Sequence, residues 1–267
     1  MAASRLEKKL QQAEKAGRMG LIPFLPAGFP DKCRFFEELK SLDRAGADII
    51  EIGIPFSDPV ADGPVVEAAS QECLAGGANL AWLFQELRKH RSELSAEIVL
   101  MGYVNPFMQY GWSSLAEKAA GLDLAGVIIP DLPLEESRDI EAVLSAHGLD
   151  LVRLVGLNTS PQRMRLYAER SRGFVYVVSV LGITGTKQSS LPELRRTLQQ
   201  ARQIFEQPLA LGFGLGSPAE VEPLQGSIDA VVFGSALIEH IRAGGSGGSF
   251  LRKWRAGEHE TKIDINI

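Results

Sequence analysis

Residues 47–64 read ADIIEIGIPFSDPVADGP. The stretch opens on an apolar, β-branched run, 47–52, that ends on a carboxylate, Glu51. It closes on a second carboxylate, Asp62, just ahead of a helical pattern over 65–75. Pro55, Pro59 and Pro64 each hold φ near about −65° and restrict the residue before them, so the connection is stiff for its length. A Glu set among aliphatics is expected to resist ionisation, because burial disfavours the charged form. Asp62, on a Gly/Pro loop nearer water, is expected to stay charged. Two carboxylates held in opposite protonation states make a general acid and base pair. The plainer alternative is a Glu paired with a core base and an Asp capping the next helix. The density of special backbone residues around both favours a working site.

This strand, loop and helix is one of a series. Leu6, Leu10, Ala13 and Ala16 recur at helical spacing, so 4–17 reads as a leading amphipathic helix. Short apolar runs follow at 21–25, 47–52, 97–103, 124–130, 149–156, 174–179, 209–213 and 228–233. Between them lie helical patterns from Asp31 to Gly46, over 65–75, from Asn79 to 93, at 112–120 and 135–147, from Ser160-Pro161, over 190–205, from Ser217-Pro218 and over 235–241. Such alternation requires a parallel sheet, and eight units in 267 residues is the size of a closed (β/α)₈ TIM barrel with an extra N-terminal helix. A doubly wound open sheet is the alternative, with fewer strands and a nucleotide fingerprint. The reading is of a single barrel domain over 1–267, with a flexible Gly/Ser loop at 244–249, a last helix around 250–254 and a tail from 256.

Composition narrows the function. Lys and Arg total 28 against 33 Asp and Glu, and no basic-aromatic face emerges, which argues against nucleic acid. Cys33 and Cys73 lack metal or disulfide spacing, and no metal site is expected. The four histidines do not neighbour a Ser or Cys in a strand-turn setting, so no nucleophilic triad is expected. No apolar run nears the roughly 20 residues that span a bilayer. A reduced, cytoplasmic protein without a signal peptide is the expectation.

In a barrel of this kind the site sits at the strand C-termini. Glu51, Asp62, Tyr103, Asn105 and Asp131 all fall there. So do three glycine-bearing turns, Gly182-Ile183-Thr184-Gly185, Gly212-Phe213-Gly214-Leu215-Gly216 and Gly234-Ser235. Each alone would be an ordinary tight turn. Three on one rim suit a phosphate monoester, held by backbone N–H groups and a helix N-terminus.

Residues 51–64 resemble, nearly residue for residue, the signature of the tryptophan synthase α subunit family. The likeness extends from about residue 20 to 242 through Phe24, Asn105-Pro106, Pro130-Asp131-Leu132-Pro133, Tyr176, Gly182–Gly185, Gly212–Gly214 and Gly234-Ser235-Ala236. It implies retro-aldol cleavage of indole-3-glycerol phosphate to indole and glyceraldehyde 3-phosphate. By resemblance, Glu51 moves the protons, Asp62 accepts from the indole N–H, and Tyr176 orients the reacting groups. Gly185, Gly214, Gly234 and Ser235 hold the phosphate, Phe24 and Tyr103 line the indole pocket, and Thr184 belongs to a closing lid. Asp58, Pro59, Asn105 and Asp131 match or adjoin the interface with a β subunit in an α2β2 heterotetramer, to which indole is passed. No cofactor is implied for this chain; pyridoxal phosphate belongs to the partner β subunit.

Two positions depart from the family pattern: Pro26 where most members carry Thr, and Lys187 where Arg is common. Lys lacks the planar fork of Arg, which bears on lid closure and communication with the partner. A stand-alone lyase releasing free indole is a near alternative. A phosphosugar isomerase, using paired carboxylates for enolisation, is an alternative of another class. A barrel kept only to bind a partner would be expected to lose a carboxylate, and both are present.

Overall fold

The apolar runs are parallel strands that close on themselves. They are β1 (Gly20–Pro26), β2 (Ile49–Gly53), β3 (Glu97–Met101), β4 (Gly126–Ile128), β5 (Asp150–Gly156), β6 (Val175–Val178), β7 (Leu209–Gly212) and β8 (Ala230–Phe233). Each pairs with its sequence neighbours, and β8 returns to β1, giving a closed eight-stranded barrel. The structure is a computed structural model and describes residues 3–178, 191–212 and 216–260, with side chains through Ala256. Parallel strands are covered on both faces, which is why they read as near-continuous Val, Ile and Leu. The register sets Phe24 beside Glu51, and Glu51 beside Val99.

Around the barrel lie α1 (Arg5–Lys15), α2 (Phe35–Arg44), α3 (Pro64–Ala75), α4 (Leu80–His90), α5 (Val104–Tyr110), α6 (Trp112–Gly121), α7 (Arg138–Ala146), α8 (Pro161–Ala168), α9 (Leu191–Ile204), α10 (Ser235–Arg242) and α11 (Gly247–Glu260). No helix among the described residues is long and apolar enough to cross a membrane.

The leading helix covers the N-terminal mouth. Ser4 and Glu7 form a capping box. Arg5 pairs with Glu97 at the start of β3 at 2.5 Å, and Glu7 accepts from the Gly173 N–H ahead of β6 at 3.2 Å. On the same mouth Asp48 accepts from Arg18 at 2.7 and 2.8 Å, from the Leu21 N–H at 3.0 Å and from Arg255 at 2.9 Å. Burial pushes the Asp48 carboxyl up, but these bonds and charges outweigh it and leave it below its ordinary value. That end of the barrel is devoted to structure, and the opposite rim remains for chemistry.

Three expectations are corrected. The third strand stops at Met101 instead of Tyr103, and a helix absent from the sequence reading, α5, starts directly after Tyr103. Its signals were present: Pro106 sits in the first turn, and Gly111, at φ 89°, ends it in a conformation most side chains avoid. Ser217-Pro218 does not open a full helix. It leads two 3₁₀ turns, Pro218–Glu220 and Glu222–Leu224, because Pro223 lacks the N–H that would continue a helical ladder.

The third concerns the Gly/Ser run. α11 begins inside it at Gly247 and continues to Glu260, past the point where a tail was expected. Gly247 N–H donates to Glu38 at 2.8 Å and Gly248 N–H to Ser41 at 3.1 Å. A Cβ on Gly247 would lie 2.8 Å from Leu42 Cγ, so glycine there serves close approach to α2. Trp254 then stacks on Phe233 with ring centroids 5.0 Å apart.

Candidate active site

Glu51 stands in the middle of β2, between Ile50 and Ile52, and is 2% exposed. Successive strand residues point to opposite faces, so the isoleucines and Glu51 face different sides of the wall. Oε2 of Glu51 is buried, with no hydrogen-bond partner among the described residues. Burial, reinforced by the charge of Asp62, raises its carboxyl to about 8, so it holds its proton at neutral pH. That matches the expectation for this residue.

Asp62 differs from its expectation. It is buried, 8% exposed, instead of lying near water, and burial raises its carboxyl above the ordinary value. Tyr103 is the reason. Its hydroxyl donates to Asp62 Oδ1 at 2.8 Å and accepts from the Ala61 N–H at 3.0 Å, drawing the end of the loop inward. The bond to Tyr103 opposes burial and favours the ionised carboxylate, whereas Glu67 adds to the upward push. The phenol is itself driven well above its usual range, first by burial and then by Asp62, so it remains a donor. Tyr103 thus has a specific polar contact beyond the apolar wall foreseen for it. Phe56 leans on its ring at 5.6 Å between centroids, and Gln71 fastens the loop by donating to the Ser57 carbonyl at 3.0 Å.

Tyr176, in β6, is buried and its phenol is pushed well above the normal range by burial, by Glu51 and by Asp62. Strand two, the loop after it and strand six therefore bring three titratable groups into electrostatic reach of one another. Gly212 lies against the Tyr176 ring: a Cβ there would meet Cζ at 2.6 Å. Phe24 is held likewise between two glycines. A Cβ on Gly53 would stand 2.5 Å from its Cζ, and one on Gly234 would stand 2.8 Å from its Cδ1.

Gly234 is the N-cap of α10, and among the described residues no side chain caps that helix start, so its first N–H groups have no side-chain partner there. Gly234 consequently has a packing reason to be glycine as well as a place beside an anion-favouring helix end. Gly185, Gly214, Thr184 and Lys187 lie outside the described residues.

Asp58 is exposed and accepts from Ser57 Oγ; Pro59 is half-buried and Asn105 exposed. Asp131 is exposed, yet its Oδ1 accepts from the Val104 N–H at 2.9 Å, a bond within the chain that sequence reasoning did not foresee. Val60 and Met108 flank this region and are 65% and 54% exposed. Among the described residues no group of three or more His, Cys, Asp or Glu is arranged to hold a metal ion.

The geometry has close relatives. The family model for the tryptophan synthase alpha chain matches residues 10–261. The tryptophan synthase alpha chain of Solidesulfovibrio magneticus is 55% identical over 255 residues, covering 96% of this chain and 100% of the relative. That of Prochlorococcus marinus is 41% identical over 243 residues, covering 91% and 88%. Of solved structures, the subunit alpha of tryptophan synthase from Legionella pneumophila superposes with a TM-score of 0.87 at 30% identity, covering 97% of this chain and 100% of that one. A Mycobacterium tuberculosis tryptophan synthase chain also gives 0.87, at 32% identity, covering 96% and 98%. With the family pattern matched over nearly its whole length, the chain belongs to the tryptophan synthase alpha chain family.

Proposed function

We propose that this chain cleaves indole-3-glycerol phosphate to indole and glyceraldehyde 3-phosphate, with Glu51 as acid and base. The observation that carries the reading is a buried carboxyl raised to about 8 by burial and by the charge of a second buried carboxyl, Asp62, which accepts a hydrogen bond from Tyr103. Breaking the bond between indole C3 and the carbinol carbon requires a proton to arrive at C3 and another to leave the hydroxyl. Protonated Glu51 gives the first and, as carboxylate, takes the second. The aldehyde forms as the C–C electron pair returns to the ring, and Glu51 ends as it began. Meanwhile the ring nitrogen carries developing positive charge. Ionised Asp62 accepts its N–H and stabilises that charge, most strongly in a buried site with little competing water.

Tyr176 orients the reacting groups, and Phe24 forms an apolar wall of the indole pocket. The substrate phosphate is assigned to Gly234 and Ser235 at the start of α10, and by resemblance to Gly185 and Gly214, with Thr184 in a lid that excludes water. The reaction as written uses this chain's own side chains and calls for no cofactor here. Pyridoxal phosphate is assigned to the partner β subunit.

The same rim is proposed to dock that β subunit in an α2β2 assembly through Asp58, Pro59, Asn105 and Asp131, so that indole passes on directly. The exposed Val60 and Met108 beside them support an apolar contact there. The test is to supply indole-3-glycerol phosphate and follow indole, alone and with a β subunit. Indole release that rises on mixing, with co-elution of the two chains, is expected. No release under either condition overturns the assignment.

A further inference from the structure

Three neighbouring loops of the rim are joined by three hydrogen bonds. Asp131, after β4, accepts from Val104 N–H at 2.9 Å. Val104 is the first residue of α5, whose N-cap position is Tyr103, after β3. Tyr103 in turn donates to Asp62 at 2.8 Å and takes the Ala61 N–H at 3.0 Å, both after β2. The Tyr103 side chain does not cap its own helix. The carboxylate that satisfies the start of α5 comes from the next loop, where the helix dipole favours it.

We propose that Asp131 is a positioning residue for Asp62: by fixing the first turn of α5 it holds the Tyr103 hydroxyl where it donates to that carboxylate. The geometry stands independently of the reaction. Only the consequence for turnover rests on the role assigned to Asp62 above. A surface carboxylate would then act on a buried one without touching it, and an event at the exposed Asp131 would reach the interior. Among the described residues, the other titratable groups that bear on this pair are Glu51 from β2, Glu67 from α3 and Tyr176 from β6. None is a cation, so Tyr103 is the group that favours ionised Asp62 against them. Asp131 also keeps the Tyr103 phenol protonated, an influence smaller than those of burial and Asp62.

The test reads Asp62 directly, by NMR titration of protein carrying ¹³C-labelled Asp carboxyls, with the resonance identified by its loss in Asp62→Asn. Tyr103→Phe should raise the Asp62 midpoint, since a donor to the charged form is gone, by on the order of one pH unit. Asp131→Ala should raise it by about half a unit or more, and Asp131→Asn, which keeps an oxygen for Val104 N–H, should restore most of the difference. Combining Tyr103→Phe with Asp131→Ala should add nothing to Tyr103→Phe alone, because both act through one hydroxyl. Val104→Pro gives a second route that leaves Asp131 in place. It deletes the donated N–H at a helix position that tolerates proline, and it too should raise the midpoint. An Asp62 midpoint that moves in Tyr103→Phe but stays put in Asp131→Ala and Val104→Pro overturns the proposal, as do effects that simply add. The acidic limb of kcat/KM for indole-3-glycerol phosphate should follow the NMR midpoints. Midpoints that move while that limb does not would retain Asp131 as a positioning residue and reject the catalytic role of Asp62.

Discussion

Gly53 and Phe24 are fitted to each other: a single carbon added to Gly53 would lie 2.5 Å from Cζ of the Phe24 ring. Gly53 ends β2 just beyond Glu51, and Phe24 is paired with Glu51 in register. Gly53→Ala is therefore expected to displace the Phe24 ring, costing about 1–3 kcal/mol by overpacking and raising KM for the indole substrate. Gly63→Ala is the matched control. Among the described residues nothing lies within 4 Å of a Cβ built there, and its φ of −78° suits alanine. Thermal melts and steady-state kinetics of the two variants check the contrast, and equal effects would count against the pocket wall.

Glu51 should make the fold less stable as pH rises. Its folded carboxyl is raised from 4.5 to about 8. Below 4.5 both states hold the proton and this group adds no pH dependence. Between 4.5 and about 8 the unfolded chain gives up the proton while the folded one keeps it, so stability falls with increasing pH, and it levels off above. Glu51→Gln should abolish that slope and leave the variant more stable at pH 8, by on the order of 2–4 kcal/mol. Urea unfolding at several pH values reads this, and parallel curves for the two proteins would deny that burial raises the Glu51 carboxyl.

Asp48 carries the opposite sign. Its carboxyl is lowered in the fold, so its contribution is present above the unfolded value of 3.8 and is lost as pH falls through the folded one. Removing one member of a buried charged cluster strands its partners. Because Arg18 and Arg255 are partly exposed, the loss in Asp48→Asn should be nearer 2 than 5 kcal/mol, roughly. Denaturation midpoints of wild type and variant should differ at neutral pH and converge in acid. A gap that persists in acid would show that charge is not the cause.

Turnover should be bell-shaped in pH. Indole formation needs Glu51 protonated and Asp62 ionised, so the alkaline limb should fall with a midpoint about 8 and the acidic limb should report Asp62. Initial rates between pH 5 and 10 at saturating substrate check it, and a profile flat through pH 9 would place the essential acid elsewhere.

What the sequence made legible follows from the range of each signal. The eight strands and Glu51 were readable because a carboxylate inside a β-branched run is a local anomaly. The burial of Asp62 was not, because it depends on Tyr103, 41 residues away. The prolines at 55, 59 and 64 announced a stiff loop, but rigidity carries no direction. Tyr103 itself was hidden by extending the third strand over it, so α5 and the capping of Val104 by Asp131 went unseen. The Gly/Ser run misled in a similar way: its composition suggests freedom, whereas contact with α2 turns the same glycines into the tight start of α11. The sugar-phosphate isomerase alternative was open to residue patterns alone and falls with family membership.

The most direct measurement is the rate of indole formation from indole-3-glycerol phosphate by wild type and Glu51→Gln at neutral pH, with folding verified for both. Glutamine fills the same space yet cannot shuttle a proton, so turnover should drop by at least ~10²-fold while the variant stays folded and still binds glyceraldehyde 3-phosphate. A folded Glu51→Gln protein that makes indole at the wild-type rate would contradict the account.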